Sequence, residues 1–429
     1  MGTVMDLETL TPAPISRLPG NPKAKPPVPI LDVLRTASIY AVGEAMEAGE
    51  WERAAELAHQ AGLEEIAWEI EGGDWVQAQD WYYEELLLQK RRETGFGFFH
   101  AIPDRTDFLK YIPHSGHVLV SAYRLAESGK GAPIWRNINQ AKEVILDSGQ
   151  ISLLKLAAKQ IQGQPEASTG RTTRQLSLLT SSLHQKVVDR MTQQHLLPRV
   201  AETLYWAGVK KGYCAMLDHP CEPFLLDKVG LKVQDAVEMT VANAIKWRDV
   251  ELPPGWTKIY VVQGWELEDY AWCLEMFHHY GILKEIQQGK AWLAVGTTCM
   301  RRPNQRNGPG LYDVYEFVRN WGVEGHRHAY GIAKKDWIAH MRALGLIDTA
   351  DSATGSMQVA FNRGLYSFAK GARRPNYLVG ALFAAVMQHL EDELMDAVKA
   401  GNYDPQAEAT DQELFYSPIE EGDIQKIVG

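Results

Sequence analysis

The hydrophobic positions of this chain follow two different rhythms. From Leu31 to about Lys90 they recur at helical spacing, as at Ala45-Met46, Ala54-Leu57 and Ile66-Trp68, and predict amphipathic helices. From about Gly95 onward they gather into short apolar runs that close on a polar residue: Val144 to Asp147, Tyr213 to Asp218, Ile259 to Gln263 and Leu346 to Asp351. Such runs, separated by helical stretches, predict buried parallel strands and hence a (β/α)8 barrel of the TIM type, with its active site at the strand C-termini. His117 to Tyr123, Ala291 to Gly296 and Arg327 to Ile332 bring the predicted staves to seven. Gly95 to Ile102 reads as a lead-in strand or hairpin. The eighth stave is expected beyond Val359, ahead of a helix from Leu378 to Val398.

This pattern divides the chain into a Pro-rich tail (1–30), a helical extension (31–93), the barrel (94–375) and a C-terminal helix with an acidic tail (376–429). Within the extension, Ala48 to Ala54 is echoed by Gly72 to Ala78. Each copy places a glycine where one helix should stop and an acid-aromatic pair where the next should start. The extension reads as a cap on the barrel, with a partner-docking or DNA-docking module as the other reading. The polar stretch Gly163 to Arg174 is expected to be a loop over the active face.

Composition narrows the functions. A chain of 429 residues with 45% hydrophobic content can bury one barrel and still carry appendages. It contains no run of about 18 apolar residues and no charged-then-apolar start, so a cytoplasmic protein without a membrane partner is expected. Its four cysteines form no CxxC pair, which fits a reducing compartment. Cys214, His219 and Cys221 are near enough in sequence to be metal ligands, but without a second pair they read as buried thiols, and no metal is expected. The net charge of −10 argues against a generally basic nucleic-acid binder and leaves that work to local patches.

Six motifs stand at the predicted strand ends in a fixed order: LDSG (Leu146 to Gly149), MLDHPCEP (Met216 to Pro223), VVQGW (Val261 to Trp265), LAVGTTCMRR (Leu293 to Arg302), HAYG (His328 to Gly331) and ADSA (Ala350 to Ala353). The series resembles the tRNA-guanine transglycosylase superfamily. It is most similar to the branch that inserts 7-deazaguanines into DNA, the DpdA proteins, over roughly Gly95 to Pro375. The resemblance implies a nucleophile at Asp351 and a second catalytic aspartate at Asp147. It implies base recognition by Asp218, Gln263 and Gly264 and by main-chain groups of Leu293, Ala294 and Gly296. Partners would be DNA and a free 7-deazaguanine such as preQ0, with no redox or nucleotide cofactor.

The residue types suit that chemistry. Exchange of a purine with retention needs a carboxylate that attacks C1′ and an acid/base that serves the departing and arriving bases. A carboxylate at Asp218 matches the adjacent N1–H and 2-amino donors of guanine. Asp348 rivals Asp351, but an odd separation turns the two to opposite faces of one strand. The plainer reading of any single strand-end aspartate is a helix cap.

Two basic clusters, Arg301, Arg302 and Arg306, and Arg363, Lys370, Arg373 and Arg374, would lie on the loop face as phosphate contacts or as ordinary solvated surface. Nothing beyond Cys299 is a cysteine, so the structural zinc of the tRNA enzymes is not expected, and no basic RNA-binding domain follows the barrel. The alternatives are a tRNA-guanine transglycosylase, a purine-specific DNA glycosidase and a non-catalytic DNA-binding barrel.

Overall fold

Eight parallel strands, each hydrogen-bonded to the next in chain order, form a closed barrel in the computed structural model. They are β1 (Gly97–Ala101), β2 (His117–Ser121), β3 (Glu143–Asp147), β4 (Gly212–Ala215), β5 (Trp256–Val262), β6 (Ala291–Val295), β7 (Arg327–Ala329) and β8 (Thr349–Ser352). The structure describes residues 30–102, 116–122, 125, 138–149, 196–227, 230–299, 301–303, 308–332, 334–352 and 390–401. The Pro-rich tail, the Gly163 to Arg174 stretch and the acidic C-terminal tail lie outside them.

The barrel type is as the apolar runs predict, but the position of one stave is corrected. The lead-in segment is itself β1, which pairs with β2 on one side and with β8 on the other, Gly97 opposite Thr349 and Phe99 opposite Asp351. No eighth strand beyond Val359 is needed, because closure joins the first strand to the last. That pairing spans some 250 residues and leaves no local trace in the sequence.

The registers fix which side chains fill the interior. Opposite residues on parallel strands share a face and successive residues alternate. Ile259 lies opposite Trp292, Val261 opposite Ala294, Ala294 opposite His328 and His328 opposite Thr349. Ring contacts place this face inside: Trp292 stacks on Tyr213 at 3.7 Å and on His326 at 3.7 Å, and Phe99 packs edge-on against Tyr213 and His328. Glu143, also inward, accepts from Tyr213 Oη at 2.9 Å and pairs with Lys211. The lower barrel is thus filled by aromatic rings and a satisfied acid, and smaller inward residues, Ala215, Val261 and Ala294, lie above them.

The chain resolves into two units, Met1–Gln79 and Asp80–Gly429. In the first, α1 (Ile30–Glu47), α2 (Trp51–Ala61), α3 (Glu64–Gly72) and the start of α4 (Trp75–Thr94) follow one another with short turns. The repeat behaves as its spacing predicts: Gly49 and Gly73 take left-handed backbone (φ 74° and 79°), and Trp51 and Trp75 open the next helices. The two tryptophan rings lie 4.7 Å apart.

The division falls inside α4, short of the 93/94 boundary read from the sequence, because the end of that helix is bound to the second unit. Arg91 Nε donates to Glu391 Oε1 at 2.6 Å, and His100 Nε2 meets Glu391 Oε2 at 2.9 Å, both buried. Burial alone would raise the Glu391 carboxyl, yet the Arg91 and His100 charges hold it below the usual carboxylate range. Residues 390–400, which overlap the end of the predicted helix Leu378 to Val398 and run two residues past it, are helical. No described helix is long and apolar enough to cross a membrane.

Candidate active site

Three acids converge at the C-terminal mouth. Asp147 is the last residue of β3, Asp351 lies in β8, and Asp218 follows β4 by three residues. Each is held differently, and the difference suits each to separate work.

Asp351 is buried and anchored through one oxygen. Its Oδ1 receives the Gly331 N–H at 3.1 Å and His328 Nε2 at 3.2 Å, and among the described residues Oδ2 has no hydrogen bond. A carboxylate only accepts, so His328 donates through Nε2. Thr349 Oγ1, 2.9 Å from His328 Nδ1, then supplies that nitrogen with its one proton and accepts from His326 Nε2 at 3.0 Å. Burial, foremost, pushes His326 down to about 4, so this end of the chain is neutral. The chain Asp351–His328–Thr349–His326 runs down the barrel interior and fixes one carboxylate oxygen while the other stays unanchored. Asp348, the rival, faces the other way: it takes Arg342 Nη1 at 2.8 Å and the Arg327 N–H at 3.0 Å.

Asp147 Oδ2 accepts the Gly149 N–H at 3.0 Å. Burial first, and then the Asp218 and Asp351 carboxylates, push its pKa up to about 7, against the Gly149 and Ser148 N–H groups that oppose the shift. A carboxyl poised there can give or take a proton near neutrality. The same shift carries a stability cost with a definite sign. The folded state keeps a proton that the unfolded chain releases near 3.8, so the favourable contribution is complete below that pH and is lost as pH rises through about 7. Asp147→Asn should therefore stabilise the protein by roughly 2 kcal/mol at pH 8 and little at pH 4. Thermal unfolding across that range measures it, and equal destabilisation at both ends would sink the assignment.

Asp218 is braced on both oxygens. Ser148 Oγ donates to Oδ1 at 3.0 Å and Gln263 Nε2 to Oδ2 at 2.6 Å, while burial raises its pKa against those two bonds. The Gln263 amide is itself held by Thr297 Oγ1, which donates to Oε1 at 2.5 Å and accepts the Cys221 N–H at 2.8 Å. Each Asp218 oxygen keeps a lone pair and Gln263 keeps one N–H, so the pair presents acceptors beside a donor. Thr297 has φ 57°, the one left-handed non-glycine among the described residues. That conformation costs about 1–2 kcal/mol. It aims the hydroxyl between Gln263 and Cys221.

Several sequence-assigned residues take other roles. A Cβ on Gly296 would lie 2.2 Å from Gln263 Nε2, and one on Gly264 would lie 2.8 Å from the Tyr270 N, so both glycines make room for neighbouring protein groups. Ala294 faces the interior. Leu293 is corrected: its side chain points outward to the helices and its N–H is spent on the His326 carbonyl, because it sits in mid-strand below the rim. Arg301 is also corrected. Its buried guanidinium donates three of its five N–H groups to the carbonyls of Thr297 (2.9 Å), Pro309 (2.5 Å) and Trp265 (2.5 Å) and lies 4.5 Å from the Trp265 ring centroid, so it is held inside the fold rather than offered to a phosphate. Arg302 is exposed, while Arg306, Arg363, Lys370, Arg373 and Arg374 lie outside the described residues.

Sequence reasoning named no role for His328, Thr349, Ser148 or Thr297, although three of these lie within the quoted motifs and Thr349 sits beside one. The inward register of His328 was the available signal. Cys214, Cys221 and Cys273 are buried thiols, and His219 Nε2 is engaged by Asn243 at 3.2 Å. No cluster of three His, Cys, Asp or Glu side chains fit for a metal occurs among the described residues.

No family model matches the chain, and no curated protein matches it. Among solved structures, one described as a fructose-1,6-biphosphate aldolase from Coccidioides immitis aligns with 74% of this chain and 96% of its own, at 12% identity and a TM-score of 0.33. A likeness at that level says nothing of chemistry, which rests on this chain's own side chains.

Proposed function

We propose that the protein is an enzyme, a DNA-guanine transglycosylase that exchanges guanine in DNA for a 7-deazaguanine base such as preQ0. The observation that supports this reading most is the unequal anchoring of three acids in one mouth. Asp351 has one oxygen fixed and one unanchored, as a nucleophile needs. Asp147 titrates near neutrality, as an acid/base needs. Asp218 is braced as a fixed acceptor, as a reader of the guanine N1–H and 2-amino edge needs.

In this reading the target nucleotide leaves the stack, since neither C1′ nor the base edge is accessible within a duplex. Asp351 Oδ2 attacks C1′ while the C1′–N9 bond breaks and Asp147 passes its proton to the departing base. The 7-deazaguanine then gives its N9 proton to Asp147 and displaces Asp351 from C1′. Two displacements at one carbon retain its configuration.

Incubation of the full chain with labelled preQ0 and either DNA or tRNA, followed by nucleoside mass spectrometry, tests the proposal. Label in DNA is the expected result. Label in tRNA alone would move the substrate, abasic DNA without label would make the protein a glycosidase, and no change in either would leave a binding barrel.

A further inference from the structure

Tyr330 has no part in the scheme above, yet its hydroxyl is the unexplained group of the mouth. It follows His328 by two residues and so faces inward one layer higher, its ring 4.7 Å from the His328 ring and edge-on to it. The next residue, Gly331, gives its N–H to Asp351. The Tyr330 carbonyl is occupied by Thr298 Oγ1 at 3.3 Å, whereas its hydroxyl oxygen is shut off from solvent and has no hydrogen-bond partner among the described residues. A buried hydroxyl left so costs about 1–3 kcal/mol, which is tolerated where a ligand completes it. Burial, foremost, and then the charges of Asp147, Asp218 and Asp351 hold the phenol well above its ordinary pKa, so it keeps its proton and has a hydrogen to donate.

Its place among the acids selects the acceptor. Its ring packs on His328 and its neighbour Gly331 donates to Asp351, as His328 does, so Tyr330 stands beside the acid that would attack C1′, on the side where the C1′–N9 bond must lie. If Asp147 serves N9 and Asp218 reads N1 and the 2-amino group, the purine atom between them is N3, a pure acceptor. Ser148 and Gln263 each already spend a donor on Asp218.

We infer that Tyr330 is a further catalytic residue, whose hydroxyl donates a hydrogen bond to the purine N3 and strengthens it as the base leaves. This rests on the transglycosylase reading for the orientation of the base. No proton is transferred: the C1′–N9 electron pair goes to the base, Asp147 supplies the proton, and Tyr330 keeps its own while stabilising charge that spreads to N3.

The test compares guanine with 3-deazaguanine, in which N3 is replaced by C–H, on the wild-type chain and on Tyr330→Phe. Binding of the free bases should show a roughly fivefold to tenfold preference for guanine in the wild type, and no preference in Tyr330→Phe. Tyr330→Phe should melt at or above the wild-type temperature, since the hydroxyl has no partner to lose. Its kcat for release of guanine from DNA should fall about 100-fold, with DNA affinity unchanged. A wild type indifferent to N3, or a preference that survives in Tyr330→Phe, would overturn the inference. Indifference of the wild type overturns the inference even if the variant folds poorly. Loss of the preference in Tyr330→Phe, from a wild type that exchanges no base in any nucleic acid, would leave the Tyr330 contact standing and sink the transglycosylase reading alone.

Discussion

Asp351→Asn should abolish base exchange, with kcat falling on the order of 10⁴–10⁶-fold, while the fold and DNA binding persist. The amide can still accept from Gly331 and His328 at the position of Oδ1, so the barrel interior keeps its hydrogen bonds. What is lost is the second oxygen, which in the proposed mechanism forms the ester with C1′. Trapping of a covalent protein–DNA adduct by the wild type, and its absence with Asp351→Asn, is the direct check. Asp348→Asn is the control that the geometry supplies: it should cost about 1–2 kcal/mol through weakened bonds to Arg342 and the Arg327 N–H, and leave exchange intact. Activity lost in Asp348→Asn and kept in Asp351→Asn would invert the assignment.

The second large effect concerns stability. Arg301→Ala should destabilise the protein by about 3 kcal/mol, because it strands the carbonyls of Thr297, Pro309 and Trp265 and opens a void against the Trp265 ring. Exchange should fall as well, since the Thr297 carbonyl it holds belongs to the turn that orients Gln263 and, through it, Asp218. Arg302→Ala, on an exposed side chain, should change stability by less than about 0.5 kcal/mol. If Arg302 meets a phosphate, the salt dependence of DNA binding should flatten by about one unit of slope. Chemical denaturation and binding titrations at several salt concentrations separate the two arginines. A salt-slope change in Arg301→Ala with unchanged stability would restore it as a phosphate contact.

These contrasts mark what the sequence discloses and what it withholds. A buried parallel strand is a continuous apolar run, so seven staves are legible, and period two alone separates Asp348 from Asp351. β1 is just as apolar, but its status depends on the partner strand β8, and pairing across the whole chain leaves no local signature. That Asp147, Asp218 and Asp351 come together is readable because all three close apolar runs of one barrel, whose strand ends meet at a single mouth, although any one of them alone could cap a helix. Arg301 is not, because an arginine that caps three carbonyls and one that grips phosphates have the same surroundings in sequence. Thr297 is hidden for a similar reason: its left-handed turn is met by Gln263 and Cys221 from two other segments and by Arg301 four residues on. The His328–Thr349–His326 chain lies on strands whose polar residues face inward, where the usual alternation would have placed apolar ones.

That chain also bears on how such a barrel can change over time. Asp351 is aimed from below, by side chains of β7 and β8 and one backbone N–H, and Asp218 is aimed from the side, through Gln263 and the Thr297 turn. The two supports share no residue. If the protein is the transglycosylase proposed above, mutations that remodel the base-reading half can therefore accumulate without re-aiming the nucleophile, so a chain of this design could switch the base it accepts while retaining the step that opens the glycosidic bond.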